Sequence, residues 1–250
     1  SNLNGFEPAD NLVKVDDMLA LDQWVLGRAA ILQTEIEAAY HSYNFHAVYQ
    51  KITHFCSQDL GGFYLDIIKD RQYTCAADSL SRRSAQTAMY HLIETMTRWI
   101  APILSFTADE LWEHIPGKRA ESVQLDAWYD IPEANATSMT ADYWTQIMEV
   151  KQAVNKNLET QRSQGVIGGS LSAEIILYAV PKLHAQLEQL GDELRFVLLT
   201  SKASLVAGQE GGIETDFEGL RLDIQASKHT KCERCWHHRE DVGVSAQEPE

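Results

Sequence analysis

The stretch VDDMLALDQWVLGRAAILQTEIEAAYHSY, residues 15–43, decides the fold of the first half of this chain. Its apolar residues recur every three or four positions, the spacing that places side chains on one face of an α-helix. This stripe consists of Leu21, Val25, Ala29, Leu32, Ile36 and Ala39. Either Asp16 or Asp17 can cap the first turn, because a short carboxylate side chain accepts hydrogen bonds from the free N–H groups there. The stretch predicts an amphipathic helix that needs partners.

A second helical stripe begins just after Asn44, which can cap it. Apolar residues continue at helical spacing from Phe45 to Ile67, interrupted by the pair Gly61 and Gly62. Adjacent glycines in a helical pattern indicate a kink or a close approach of another backbone. We therefore predict a long helix with a disturbance at this pair.

Two further helices complete the first region. Ser79 or Ser81 can cap the start of a third helix. Pro102 should kink this helix or bring it to an end nearby. The spacing Thr107-x-x-Glu110 is that of a capping box and predicts a short fourth helix. The sequence therefore predicts an all-helical bundle over residues 1–135.

The pattern changes class in the second region. A helix is predicted over residues 139–162 within a long helix and linker at 136–170, because GVIGGS at 165–170 breaks the helical pattern. AEIILYAV and GLRLDIQA are typical of strands, with two short helices, LHAQLEQL and ELRFVLL, between them. We expect a small α/β domain at 171–228 and a separate segment at 229–250. The fold class is mainly α.

The composition is acidic, with a formal net charge of −15. Taken alone this charge disfavours a nucleic-acid partner, because neutralising phosphates requires lysine and arginine. Positive charge is nevertheless concentrated in two places, residues 66–98 and residues 228–240, where basic residues outnumber acidic ones. No apolar run is long enough for a membrane span and no signal peptide is evident, so we expect a cytoplasmic protein without a membrane partner.

Motifs for catalysis are absent from the sequence. It contains no P-loop, no Gly-x-Gly-x-x-Gly after a strand, no Gly-x-Ser-x-Gly and no His-Glu-x-x-His. Histidines on the helices are expected to be surface or hydrogen-bonded residues, namely His41, His46, His54 and His91. We therefore assign no catalytic residue.

KCERCW, residues 231–236, is the motif with the clearest chemistry. Thiolates at Cys-x-x-C spacing can reach one tetrahedral metal ion from a tight turn, and structural zinc takes four ligands. The sequence offers no second pair before Glu250, and His237 and His238 could complete a site only with poor geometry. Half of a zinc ribbon, a redox pair and a site filled in another way all stay open. We expect Cys56 and Cys75 to be buried, inert thiols.

Side chains beside the two basic regions could contact a nucleic acid. Trp236 could pack on its own turn or stack on an unpaired base, and Arg234 could reach a phosphate or a guanine edge. In FYLDIIKDRQY, residues 63–73, Lys69 lies about 200° around the helix from Ile67 and Arg71 about 40°. We therefore place Lys69 outward and Arg71 at the rim of the buried stripe. Ion pairs on a solvated helix end are the alternative explanation.

Four long strings follow one another along the chain: FYLDIIKDRQY, AMYHLIETMTRWIAPILSFTADELW, GDELRFVLLTS and KCERCWHHREDVG. Together, in that order, they resemble the C-terminal part of bacterial isoleucyl-tRNA synthetases. The resemblance covers essentially the whole chain. It implies an anticodon-binding helical bundle, a small α/β unit and the start of a zinc-binding domain, here a truncated zinc-ribbon segment.

The resemblance also implies partners and site residues. It implies binding of the anticodon arm of isoleucine tRNA, through the bundle around Lys69, Arg71, Arg82 and Arg83 and through Arg234 and Trp236. Cys232 and Cys235 carry over as zinc ligands, and the resemblance places ATP and Mg²⁺ in a catalytic domain outside these residues. We expect a monomer that acts with the remaining domains of the synthetase and that does not aminoacylate or edit by itself.

An alternative from another class is a helical protein-interaction scaffold whose Cys-x-x-C turn is a metal or redox switch. The acidic net charge favours it. An exposed apolar surface on the bundle would be its distinguishing feature.

Overall fold

The computed structural model describes residues 2–135 and 139–244. The chain divides into two compact units, Ser1–Thr140 and Ala141–Glu250. The first unit is helical and the second combines helices with a sheet, so the mainly α fold class is confirmed. The predicted division of the rest of the chain into a long helix and linker at 136–170, an α/β domain at 171–228 and a separate segment at 229–250 stays a prediction. Among the described residues, none of the helices combines the length and the apolar character of a membrane span.

The first unit consists of helices joined by short turns. Its helices are α1 (Pro8–Asn11), α2 (Ala20–His41), α3 (Phe45–His54), α4 (Leu65–Thr74), α5 (Leu80–Ile100) and α6 (Ser105–His114), with a π-helix at Phe55–Tyr64 and 3₁₀ turns at Val15–Asp17 and Val123–Leu125. This confirms the predicted helical bundle.

Helix α2 begins later than its sequence predicts. Neither Asp16 nor Asp17 caps it; the Asp16 carboxylate instead accepts hydrogen bonds from the backbone N–H and the side-chain amide of Asn135, at 2.8 and 2.5 Å. The free N–H of Leu19 donates to Ser84 Oγ at 2.9 Å. Partners distant in sequence therefore replace the local cap and move the start of the helix to Ala20.

The disturbance predicted at Gly61 and Gly62 is a π-helix that joins α3 to α4. A Cβ atom on Gly61 would lie 3.1 Å from the carbonyl oxygen of Cys56, and one on Gly62 would lie 3.2 Å from that of Ser57. Each clash is with the carbonyl five residues earlier, which the wider π turn brings close. The glycines therefore accommodate a local π-helix within a continuous helical segment.

Of three predicted helix caps, two are confirmed and one is wrong. Ser79 caps α5 by accepting a hydrogen bond from the N–H of Arg82, and Asn44 caps α3 by accepting one from Ala47, so both predictions are confirmed. The capping box at Thr107 and Glu110 is wrong. Helix α6 begins two residues earlier, at Ser105, and no side chain caps it.

Helices α2 and α5 run in the same direction. Their first turns are joined by the Leu19–Ser84 hydrogen bond, and their last turns by Tyr40 Oη, which donates to the carbonyl of Trp99 at 2.6 Å. The apolar stripe of α2 fills the space between the helices, with Val25, Ala29 and Ile36 fully buried. The first unit therefore has two recognisable ends, separated by about 30 Å along α2 at 1.5 Å per residue.

The second unit is built on a four-stranded sheet. Its elements are α7 (Ala141–Ser163), β1 (Ala173–Ala179), α8 (Pro181–Glu188), α9 (Glu193–Val197), β2 (Lys202–Ala207), β3 (Ile213–Glu214) and β4 (Leu220–Ala226). The strand order is β2-β1-β4-β3. Strand β1 pairs parallel with β2 and antiparallel with β4, with Leu177 opposite Leu205 on one side and Leu222 on the other.

Strands β2 and β3 were not predicted from the sequence. Strand β2 has the sequence KASLVA, is only partly covered and lacks the alternation of large apolar and polar residues that marks a half-buried strand. Pairing with β1, not its own pattern, makes it a strand. The predicted strands correspond to β1, whose alternate residues are buried, and to β4.

Helix α7 packs against the sheet and its helices. Its stripe of Ile147, Val150 and Val154 is buried, and Lys151 Nζ donates a hydrogen bond to the carbonyl of Val197 at 2.6 Å. That carbonyl is at the end of α9, where backbone acceptors lack partners within the helix. A buried lysine thus joins α7 to the end of α9.

The prediction that Cys56 and Cys75 are both buried is wrong. Cys56 is exposed, whereas Cys75 is partly buried. The histidine prediction agrees with the structure. His41, His46 and His54 are exposed, and buried His91 has its Nδ1 2.7 Å from Tyr129 Oη.

Acid should destabilise the first unit through His91. Burial lowers the pKa of His91 from 6.5 to about 4, against an opposing effect of the Glu94 charge. Between those pH values the unfolded chain binds a proton that the folded chain does not, so the free energy of unfolding falls as pH drops through this window. Below pH 4 His91 adds no further loss. The full effect is about 3 kcal/mol at 1.36 kcal/mol per pKa unit.

Urea unfolding at several pH values measures this effect. His91→Gln should flatten the loss of stability between pH 6.5 and 4, whereas His46→Gln, at an exposed position, should not. An unchanged pH dependence in His91→Gln would contradict the assignment.

Candidate functional site

The basic residues predicted in the first unit belong to the end of the bundle where α2 and α5 begin. Lys69 projects outward, as predicted, with 42% of its side chain exposed, and Nζ lies 2.8 Å from Asp66 Oδ1. Arg83 is half-buried and Nη1 donates to the carbonyl of Gly5 and to Gln86 Oε1, both at 3.0 Å. Arg82 is half-buried, and Nη1 donates to the carbonyl of Cys75 at 3.4 Å. Three of the four predicted cations therefore reach the surface or its margin.

Arg71 is not at the rim of the buried stripe, and that prediction is wrong. Its side chain is 3% exposed, and Nη1 lies 3.3 Å from Oδ2 of Asp22, whose side chain is fully buried. An ion pair in the interior is stable only when further hydrogen bonds satisfy its charged atoms. The helical wheel placed Arg71 on the correct face of α4. It could not show that the Asp22 carboxylate of α2 would pair with Arg71 in the interior.

Two hydroxyl groups complete the surroundings of the Asp22 carboxylate. Tyr64 Oη donates to Oδ1 at 2.7 Å, and Ser84 Oγ donates to Oδ2 at 2.5 Å. Burial first, and then the charge of Asp22, raise the pKa of Tyr64, so that its hydroxyl keeps its proton and remains a donor. Arg71 therefore orders this end of the bundle from within.

An exposed ring near Lys69 was missed by the sequence reasoning. Tyr73 lies one turn after Lys69 on α4, is 67% exposed, and its hydroxyl donates to Asn2 Oδ1 at 3.2 Å. The i, i+4 spacing of Lys69 and Tyr73 was the available signal, because such residues lie on one helix face. A cation and an aromatic ring thus share a surface.

The Cys-x-x-C segment of the second unit is a tight turn. The carbonyl of Cys232 accepts from the N–H of Trp236 at 2.9 Å, and the N–H of Cys232 donates to the carbonyl of His237 at 2.8 Å. The flanking residues Lys231 and His238 form an antiparallel bridge. The turn is fixed to the sheet domain by the N–H of His238, which donates to Ser201 Oγ at 2.6 Å.

The turn favours thiolate chemistry at Cys232. The backbone N–H of Cys235 donates to its sulfur, and this bond contributes most to lowering the pKa of the Cys232 thiol, with a smaller contribution from the Arg234 charge. The side chain of Cys235 also lies within hydrogen-bonding reach of Cys232. Both sulfurs therefore meet at one point, as two ligands of a tetrahedral ion must.

The turn places two thiols together, whereas a structural zinc ion takes four ligands. Among the described residues no group of three or more His, Cys, Asp or Glu side chains is placed to hold a metal ion. His237 is buried with its ring 5.7 Å from that of Phe196, and His238 Nδ1 donates to the carbonyl of His229 at 2.9 Å. The geometry therefore fits two thiolate ligands and requires two more from elsewhere.

Trp236 is presented to solvent. Its ring is 60% exposed, and its backbone has φ +66°, a left-handed conformation that is strained for a bulky residue. Lys231 Nζ lies 5.0 Å from the ring centroid, and Arg234 is exposed on the same turn. A ring that mainly stabilised the turn would be covered by it. The arrangement instead presents one exposed indole with the ammonium group of Lys231 near its ring.

Comparison with known proteins identifies the class of this chain. The sequence model described as the anticodon-binding domain of tRNA ligase matches residues 22–177, and the chain belongs to that family. The match begins at the buried Asp22 and ends within β1. A second model, described as a zinc finger found in FPG and IleRS, matches residues 231–250, which include the Cys-x-x-C turn.

Similarity to individual proteins gives a more specific comparison than the family model does. Over its whole length the chain is 55% identical to the isoleucine–tRNA ligases of Azotobacter vinelandii and Pseudomonas aeruginosa, and 54% identical to that of a Marinomonas species. The chain spans 27% of the length of each of these relatives.

Arg71 and Lys69 should differ sharply in their effect on stability. Arg71→Met leaves the Asp22 carboxylate buried without its cation and should lower the free energy of unfolding by about 3 kcal/mol. Lys69→Met removes an exposed ion pair and should cost less than about 1 kcal/mol. Urea unfolding followed by circular dichroism measures both. Equal losses in the two variants would contradict the interior role of Arg71.

The metal stoichiometry of the turn can be measured directly. Cd²⁺ added to the reduced chain should produce the thiolate absorption of two sulfurs per ion, and a chelator should remove the ion easily, because two ligands bind more weakly than four. Cys232→Ser should abolish this signal. Cys75→Ser is the matched control and should leave it unchanged; a four-sulfur signal would contradict the half-site.

Proposed function

We propose that this chain is the anticodon-arm-binding part of an isoleucine–tRNA ligase and that it binds isoleucine tRNA. The observation that carries the proposal is the family match over residues 22–177, supported by 55% identity to isoleucine–tRNA ligases along the whole chain. The whole protein would join isoleucine to its tRNA using ATP and Mg²⁺, in a catalytic domain outside these residues. Discrimination between isoleucine and valine, for which this enzyme is the standard example, would also be made there.

Binding by these residues would combine charge with stacking. Lys69, Arg82 and Arg83 are suited to phosphate contacts, which supply affinity and orientation without reading sequence. Trp236 offers a flat, exposed ring to an unpaired loop base, with Arg234 and Lys231 beside it for phosphate or base-edge contacts. Because the rest of the chain is strongly acidic, these few cations also limit where RNA can bind.

Zinc would support this binding without taking part in chemistry. Cys232 and Cys235 would hold the ion together with two ligands from outside the described residues, and zinc would supply folding energy to the turn. That energy would hold Trp236 in its left-handed conformation. We further propose that the ligase is a cytoplasmic monomer.

The scaffold alternative has one observation in its favour. Its distinguishing feature, an exposed apolar surface on the bundle, is present in the first unit, where Phe106 and Tyr43 are highly exposed. This surface lies at the opposite end from Lys69, and its role can be separated from tRNA binding.

Binding of isoleucine tRNA should be salt-dependent and should need Trp236. The logarithm of the association constant should fall linearly with that of salt concentration, with a slope of about −0.7 to −0.9 per neutralised phosphate. Trp236→Gly should weaken binding by about 1–3 kcal/mol, because a stacking ring is lost. It should not lower stability, because glycine adopts a positive φ without strain. Fluorescence anisotropy with labelled tRNA measures the binding.

Phe106→Ala is the matched control, since it also removes an exposed ring, at a position far from the basic end of the first unit. It should bind like the unaltered chain. The proposal fails if isoleucine tRNA binds no better than an unrelated tRNA at low salt. The role proposed for Trp236 is contradicted if Trp236→Gly lowers both the free energy of unfolding and the affinity for tRNA. That result is expected of a residue with a purely structural role.

A further inference from the structure

The end of the first unit opposite Lys69 carries several large, exposed apolar side chains. Phe106 is 94% exposed and Tyr43 is 80% exposed, and five more large apolar side chains there are exposed. The additional residues are Phe45, Ile103, Leu104, Leu125 and Trp128. We refer to these seven residues as the apolar end. Contiguous exposed apolar surface of this kind marks an interaction site more often than scattered single residues do.

Contacts between rings connect Tyr43, Phe45 and Trp128 by way of Tyr40. The ring of Phe45 lies 6.0 Å from that of Tyr40 and 6.3 Å from that of Tyr43, measured between centroids. The ring of Tyr40 lies 6.0 Å from that of Trp128. A furrow of about 210 Å³ is lined by Trp128 and Pro102 and also by the ion pair of Arg98 and Asp126. Pro102 leads directly to Ile103 and Leu104.

Backbone strain holds one of these rings outward. Tyr43 has φ +56°, a conformation that asparagine and glycine adopt more easily than tyrosine. Its N–H donates to the carbonyl of Tyr40, and the N–H of Asn44 donates to that of Ala39, so two hydrogen bonds fix the turn. These are the hydrogen bonds of the left-handed turn with which helices commonly end, and the turn leaves the Tyr43 ring outside the packed interior.

The charge near this surface disfavours RNA. Residues 104–133, which carry Leu104, Phe106, Leu125 and Trp128, contain seven acidic residues and only two of Lys and Arg. One of those two, Arg119, is paired with Glu94 at 3.0 Å. Phosphates would be repelled here, whereas an apolar protein surface would lose nothing by approaching.

We propose that the apolar end docks against protein surface in the part of the ligase that lies outside these residues. The relatives are nearly four times as long as their match to this chain, which spans 27% of each, so most of a ligase of that length is outside it. The inference rests on the proposed function in one respect only, that the chain belongs to such a ligase. It does not depend on tRNA binding.

Labelling of exposed side chains in the full-length enzyme tests this inference. The enzyme would be the Azotobacter vinelandii ligase carrying this chain in place of the 255-residue region that matches it. Hydroxyl-radical labelling read by mass spectrometry would be compared with that of the isolated chain, both without tRNA. The labelling rates of Tyr43 and Phe106 should be lower in the full-length enzyme than in the isolated chain by a factor of roughly five or more, because the cores of interfaces exclude water. Tyr73 should be labelled equally in both.

Three other results would overturn the inference. Equal labelling of Tyr43 and Phe106 in both proteins would show that nothing covers the surface. Protection that appears only when isoleucine tRNA is added would assign the surface to RNA. Protection in the isolated chain that increases with its concentration would assign it to a second copy of the chain.

A double variant separates docking from folding. Tyr43→Ser with Phe106→Ser should leave the melting temperature of the isolated chain unchanged, because both side chains are exposed. In the full-length enzyme it should restore labelling of Trp128. Continued protection of Trp128 would contradict docking through this surface. tRNA binding, measured separately on the same proteins, can fail or succeed without changing either result.

Discussion

The buried carboxylate of Asp22 is the constraint on which the arrangement of the bundle depends. It accepts hydrogen bonds from Tyr64, Arg71 and Ser84, which come from the end of the π-helix, from α4 and from α5. Ser84 also accepts from the N–H of Leu19 and so fixes the start of α2. Because an unpaired buried charge is costly, these helices have few alternative arrangements that satisfy all the groups. The basic end of the bundle keeps its shape for the same reason.

That constraint divides the cations of this end into two kinds. Arg71 is neutralised inside, whereas Lys69 lies outside with Tyr73 on the same face of α4. A short stretch of helix therefore supplies both the interior support and the outer surface. The Cys-x-x-C turn achieves something similar with different chemistry, since backbone hydrogen bonds shape the turn and leave Trp236 outside it. In both places the fixed interior limits the conformations of the exposed segment. Binding through its side chain would therefore lose little further conformational entropy.

The two ends of the bundle differ in their exposed side chains. One end offers cations and a tyrosine, and the other offers apolar side chains beside acidic ones. Parallel packing of α2 and α5 creates this polarity, because it gathers both first turns at one end and both last turns at the other.

The sequence by itself determined the helices, the strands β1 and β4, the caps at Asn44 and Ser79 and the Cys-x-x-C turn, because each depends on residues close together in the chain. It also determined the family resemblance, through long strings in a fixed order. Tertiary structure decided the rest. The start of α2 depends on Asn135 and Ser84, the burial of Arg71 depends on Asp22, and β2 is a strand only because β1 lies beside it. These features depend on partners distant in sequence, which periodicity and spacing do not reveal.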